Sequence, residues 1–470
     1  MSAPVMFGHA LVARGDLPLP EWLFAWAAAM VLLVSFFALA VTWRTSRFEA
    51  DSWRPLRGGL ASRLGALALS RPVAAFCGTL GVALLALTIY AGLAGTSAPD
   101  RNFTITFVFV TAWLGFPVLG IVLGDLFAAF NPWRAIGRLT GAAFRLIAGQ
   151  APAHLPYPTR LGRWPAALGV AAFVWLEVIH GSTGGVSVGL DPGTVGLAAL
   201  VYSAYTLSMM ALFGTETWVR NGESFGVYFN MFSQLGIFES RDGRLGRRKP
   251  FAAATRWASV PGSVAVVLAS IATTTFDGAQ EGVLEGAIAS VYESLLDAGA
   301  LSATWSLRLA DTLFMLSAFA LVIAVYTVGV WGMRSVRGAP GFKPLASAFA
   351  HSLIPIAFAY LLAHYFSLIV YQGQAQFTYL LSDPLGAGTT DLFGTASSGI
   401  DYGVLGANLI WYVQVGTLVA GHVLGLVYAH DRAVAIWSDR RDAARSQYWM
   451  LGVMIAFTCL GLYLLSVANA

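Results

Sequence analysis

The chain has 470 residues, 57% of them hydrophobic and only 11% charged, with a mean hydropathy of +0.68. A soluble domain needs about 25% charged residues to solvate its surface, so this composition argues against a soluble multidomain protein and for one whose surface faces lipid. A net charge of +4 and a pI near 9.1 are compatible with nucleic acid as a partner, but the placement of the basic residues argues otherwise.

A helix needs about 20 apolar residues to cross the hydrocarbon core. In chain order, runs of that kind predict ten spans. They are Trp22–Trp43, Pro72–Leu93, Phe103–Leu126, Trp164–Gly181, Thr194–Phe213, Trp257–Phe276, Leu309–Gly332, Ala348–Tyr371, Val404–Ala429 and Tyr448–Val467. The expected fold is a single all-α polytopic bundle. No small-residue cleavage site follows the first run, which is therefore expected to stay as an anchor.

Charge tests the spans independently, because they were drawn from apolarity alone. Alternate connections carry six, five, seven, three and four Lys or Arg, which is 25 of the 28 in the chain. Arg14, Arg101 and Arg308 fall on the opposite side. The positive-inside rule then predicts a cytoplasmic membrane with both termini outside. The outer connections are acidic: Asp277, Glu281, Glu285, Glu293 and Asp297 are expected in one loop, and Asp383, Asp391 and Asp401 in another. Ordinary solvation explains them; a vestibule attracting cations is the sharper alternative.

Three stretches between spans have helical periodicity. Trp133, Ile136, Thr140, Phe144 and Ile147, interleaved with Arg134, Arg138 and Arg145, predict a helix in the inner interface with arginines toward lipid phosphates. Phe225, Tyr228, Phe229, Phe232 and Leu235 form a second apolar stripe, and Leu284, Ile288, Val291 and Leu295 a third among outer acids. The long connection Gln372–Gly403 is a candidate cover for a cavity. Cys77 and Cys459 lie in apolar runs and read as core residues.

Titratable residues inside a span are costly, so each is a functional candidate. Glu177 and His180, as Glu-x-x-His, and His364 are expected near one outer depth. They are the first choice for a divalent transition-metal site, with Glu177 and His364 as catalytic groups; hydrogen-bonded structural or pore-lining roles are the plainer alternative. At the inner end, His351, His422, His430 and Asp431 are the second choice, with Asp125 near the same level. His351 and His364 are 13 residues apart, which leaves their rings about 140° apart round a helix and disfavours a haem pair. Tyr365, Ser367, Tyr371, Gln372, Gln374 and Gln376 could line an outer pocket or anchor the interface.

Several stretches resemble one bacterial family. They are Leu17–Phe24, Gly124–Phe127 through Asn131–Arg134, Glu216–Tyr228, His351–Pro355 through His364–Ser367 with Gln372–Gln374, and Gly421–His422 through Ala429–Arg432. Together they resemble the membrane proteins labelled fenitrothion hydrolase. The resemblance implies a bacterial inner-membrane enzyme cleaving an aryl phosphorothioate triester. No catalytic motif of that family maps onto particular residues here. A metal-assisted hydrolase acting on a lipophilic small molecule is the leading expectation. A transporter or permease, or a non-catalytic (redox included) subunit of a membrane complex, is the alternative. Assembly as a homo-oligomer is left open.

Overall fold

The computed structural model describes residues 21–183, 186–187, 190–257, 259–280 and 282–468. Arg14, Glu281 and the beginning of the Leu17–Phe24 stretch lie outside the described residues.

The described chain is a helical bundle, and its main helices run as follows. Helix α1 is Glu21–Thr42, α2 Arg71–Ala94, α3 Phe103–Leu123, α4 Pro132–Ala148, α5 Trp164–His180, α6 Pro192–Phe213 and α7 Ser224–Ser233. The second half has α8 Ser263–Gln280, α9 Glu285–Asp297, α10 Ala303–Met333, α11 Ile354–Phe377, α12 Ala407–Ile436 and α13 Tyr448–Ala468. Large apolar side chains such as Val34, Phe37, Val41 and Leu168 stand exposed on the exterior. That is the surface a bilayer covers and water does not.

Eight helical stretches among the described residues are long and apolar enough to cross a membrane. The fourth and sixth expected spans, now α5 and α8, are not among them: α5 is apolar but short, and α8 is less apolar because of its position. Helix α8 is the centre of the bundle, packed against α5, α10, α11 and α13, with nearly every side chain buried. Facing protein and not lipid, it tolerates Ser and Thr. Ser270, Thr273, Thr274 and Thr275 each give their hydroxyl to a carbonyl of the preceding turn, so none is left unsatisfied.

The same helix corrects a boundary. The sixth span was expected to end at Phe276, with Asp277 in an acidic loop; the helix instead runs from Ser263 to Gln280 and buries Asp277 inside the bundle. The Pro261-Gly262 pair lies before the helix, in a turn.

That turn is paired with another. Gly162, at φ +44°, and Gly262, at φ +82°, precede α5 and α8. The Arg163 amide donates to the Pro261 carbonyl at 2.7 Å, and the Arg163 guanidinium reaches Ser263 Oγ at 3.1 Å and stacks 3.9 Å over the Trp257 ring. A Cβ on Gly162 would stand 2.1 Å from the Pro261 oxygen, so only glycine fits. The two helices therefore start together and run side by side.

Two non-spanning helices appear where the periodicity placed them, α4 and α9. The second stripe, at Phe225–Leu235, became α7, which is buried and not superficial: Tyr228, Phe229 and Phe232 are enclosed between α3, α5 and α11. Its N-cap Glu223 makes this possible, accepting from Phe225 N, Gly226 N, Tyr202 Oη and Asn131 Nδ2 at 2.7–2.9 Å.

The basic run Arg244–Lys249 is partly strand. Strands β4 (Phe238–Arg241) and β5 (Arg244–Arg247) form a hairpin whose Asp242-Gly243 turn has positive φ at both residues, and β1 (Arg54–Pro55) adds to its edge. Strands β2 (Ser182–Thr183) and β3 (Val186–Ser187) form a second short pair. At the arginine-rich end, ion pairs join connections far apart in sequence: Arg241 and Arg256 to Asp51, Arg432 to Glu49, and Arg134 and Arg138 to Glu216.

Candidate functional site

Helices α5 and α8 each carry one carboxylate at the same interval from their starting turn. Glu177 is fifteen residues beyond Gly162, and Asp277 fifteen beyond Gly262. At about 1.5 Å per residue, both lie about 22 Å from the paired turns.

Helix α11 closes the group. His364 Nε2 lies 2.9 Å from Asp277 Oδ2, and the Tyr365 hydroxyl donates to the same oxygen at 2.5 Å. Consecutive residues on a helix diverge by about 100°, so one acceptor between them clamps α11 to α8. Tyr228, from buried α7, lies within electrostatic reach of Glu177, as does Tyr365. Glu177 itself is different: its Oε2 is enclosed and has no hydrogen-bond partner among the described residues.

A file of polar groups leads from this centre to the acidic end of the bundle. Gln280, one turn beyond Asp277, donates to Asp311 Oδ1 at 3.2 Å, and Asp311 is buried with Oδ2 unpartnered among the described residues. Trp175 Nε1 donates to Thr312 next to it at 2.9 Å. Arg308, a turn further along α10, donates to the His180 carbonyl at 2.9 Å. On the other side of His364, a cavity of about 20 Å³ lies among Thr274, Gly278, Tyr360 and Leu418, room for a single water.

The Glu-x-x-His pair does not share one helix face. Trp175–His180 is a π turn, which spends more residues per turn than an α-helix, so residues three apart leave the shared face. His180 stands against the Trp175 ring at 5.9 Å and beside Arg308. Among the described residues no three His, Cys, Asp or Glu side chains gather as a metal site.

The inner residues are mostly committed to packing. Asp431 accepts from Trp43 Nε1, Ser46 Oγ, Arg47 N and Phe48 N at 2.6–3.1 Å, which pins the chain after α1 to α12. His430 uses both ring nitrogens, on the Trp43 carbonyl at 3.2 Å and on Gln447 Nε2 at 3.1 Å. His351 lies 2.9 Å from the Trp257 carbonyl through Nε2 and 3.3 Å from that of Ala348 through Nδ1. Donors held this way have no lone pair turned to an ion. His422 gives Nδ1 to the Leu418 carbonyl at 2.9 Å and keeps Nε2 unpartnered among the described residues. Asp125 bonds Asn230 and the Ala128 amide.

Reading the spans brought out Glu177 and His364 but missed Asp277 and Asp311. The available signal for Asp277 was the Ser/Thr-rich stretch before it, a sign of a helix packed in protein; Asp311 sat inside an expected span and needed only to be counted. Tyr365 was noted in a polar cluster of which Tyr371 and Gln374 serve the outer connection, Gln374 by bonding Asp401 at 3.1 Å in both directions and Tyr371 by donating to the Leu405 carbonyl at 3.1 Å. That connection covers an open cavity of about 720 Å³ together with Asp100 and Arg101. No protein-family model, no curated protein and no solved structure matches this chain.

Proposed function

We propose that Asp277, His364, Tyr365 and Glu177 form a proton-binding centre in the outer half of the membrane, in a proton-coupled permease. The observation that carries this reading is a carboxylate clamped through one oxygen by His364 and Tyr365 beside one, on the adjacent parallel helix, whose enclosed Oε2 has no hydrogen-bond partner among the described residues. Two carboxylates level on adjacent helices in a low dielectric are stabilised by taking up a proton. A purely structural cluster would satisfy Glu177 as it satisfies Asp277 and Glu223. His364 is the natural exchange partner, and Asp311 with the groups around His180 and Arg308 gives protons a route from the acidic end. The two termini lie on that same outer side in this reading, as the distribution of arginines suggests.

Infrared difference spectroscopy on the purified protein tests it. A protonated-carboxyl band that responds to bulk pH and vanishes in Glu177→Gln or Asp277→Asn is the expected result. A spectrum with no pH-dependent carboxyl band in the intact protein would sink the proposal.

The second reading is the lipophilic-ester hydrolase that the fenitrothion hydrolase resemblance implies. The single-water cavity against His364 favours it, since Asp277 orients that imidazole as it would a general base. A water held in that cavity would attack the phosphorus, with His364 taking its proton and the aryloxide leaving. Release of a nitrophenol by purified protein, lost in His364→Ala, would put this reading first.

A further inference from the structure

We infer that the chain has a separate binding site for a compact, unsubstituted ring system dissolved in the bilayer, in the cavity between α2, α3, α5, α6 and α7. This assignment goes beyond the proton-binding reading and does not depend on it. The cavity holds about 300 Å³. A site of about 150 Å³ holds one benzene, so two fused rings fit.

The walls specify the chemistry. Phe107, Phe109, Trp133, Phe173, Phe225 and Phe229 all face the space. Aromatic edges and faces hold another ring better than a flexible chain, whose rotamers must be frozen on entry. The polar groups in the wall are already used. Thr88 gives its hydroxyl to the Leu84 carbonyl at 2.8 Å, Tyr202 gives its own to Glu223 at 2.7 Å, and Trp133 Nε1 bonds Ser203 at 2.8 Å. A nitro, hydroxyl or phosphoryl substituent would find no partner there, at the usual cost of a buried unpaired polar group.

A second feature points to the same place. Both π turns of the described chain, Phe107–Ala112 in α3 and Trp175–His180 in α5, border this cavity, the first through Phe107, Val108, Phe109 and Ala112 and the second through Leu176. π turns concentrate at functional sites, where the extra residue re-aims side chains and leaves a wall that can adjust. Leu176 immediately precedes Glu177, so a ring in the cavity touches the turn that carries the unpartnered carboxylate.

The test is thermal unfolding of the detergent-purified full chain with naphthalene, beside the cavity-filling variants Ala198→Phe and Ala172→Leu. Naphthalene should raise the midpoint of the wild type by about 2 °C or more and leave the filled variants unmoved. An equal rise in all three would mean that it acts through the micelle, and would overturn the site. Decane matching naphthalene would overturn the commitment to a ring and make this an acyl-chain pocket. Should both variants fail to fold, wild-type protein soaked with 1-bromonaphthalene decides: anomalous scattering places bromine between Phe173 and Trp133, or the inference is wrong.

Discussion

Glu177 and Asp277 stand level on two helices that begin at interlocked glycine turns; Oδ2 of Asp277 is held by two side chains of α11, while the enclosed Oε2 of Glu177 has no hydrogen-bond partner among the described residues. The asymmetry separates what each residue does for folding from what it does for charge.

Asp277→Asn should cost stability. Hydrogen bonds to a charged group contribute about 1.5–3 kcal/mol each, and Asp277 holds His364 and Tyr365 at once. A lower unfolding midpoint in detergent is the expected outcome, and Tyr365→Phe should show a smaller decrease.

Glu177→Gln should leave the unfolding midpoint within about 1 °C of wild type, because the oxygen it alters bonds nothing among the described residues. The same variant should abolish the pH-dependent carboxyl band. A large loss of stability would mean that the carboxylate is structural after all.

Asp431→Ala should be among the most damaging single changes. Four donors from residues 43–48 would lose their acceptor inside the protein, and several unpaired buried groups cost about 1–3 kcal/mol each. Limited proteolysis should cut between α1 and α2 in the variant and not in the wild type, if the protein accumulates at all.

Gly162→Ala should displace α5 from α8, since the added methyl meets the Pro261 oxygen and the backbone has positive φ. Fast hydrogen exchange at the start of both helices, with α12 and α13 unaffected, is the expected signature.

The arginine-rich end should loosen in acid. Bonding to Arg241 holds the Asp51 carboxyl below its usual range, aided by the Trp53 amide and Arg256. Burial alone would raise Glu239, but bonds and charge from Arg241 and Arg248 together outweigh it and bring it down. For a group depressed in the folded state, stability is present above the unfolded pKa and is lost as pH falls through the folded one. Hydrogen exchange in 51–56 and 238–248 should therefore rise below about pH 4, with the helices still protected. Unchanged exchange there would show that the ion pairs contribute nothing to holding the hairpin.

Some of this architecture was legible in the one-dimensional pattern. The apolar runs and the alternation of arginines reflect what each helix surface meets, lipid or water, which is a property of composition along the chain. The amphipathic periods of α4 and α9 reflect it too, since one face of each is wet. The boundary of α8 was not legible, because burial inside protein removes the demand for apolarity that marks a span, and Asp277 read as loop. Nor was the separation of His180 from Glu177, since nothing in Trp175–His180 as a string distinguishes a π turn from an α turn; the packing of α5 against its neighbours decides that winding. The sequence by itself marked the long apolar segments that suit a bilayer, because apolarity is a property of local composition. Only the tertiary structure showed that Asp431 and His430 are taken up by bonds to the chain after α1, and that Glu177 Oε2 has no partner among the described residues, because a hydrogen bond between residues hundreds of positions apart depends on where helices meet.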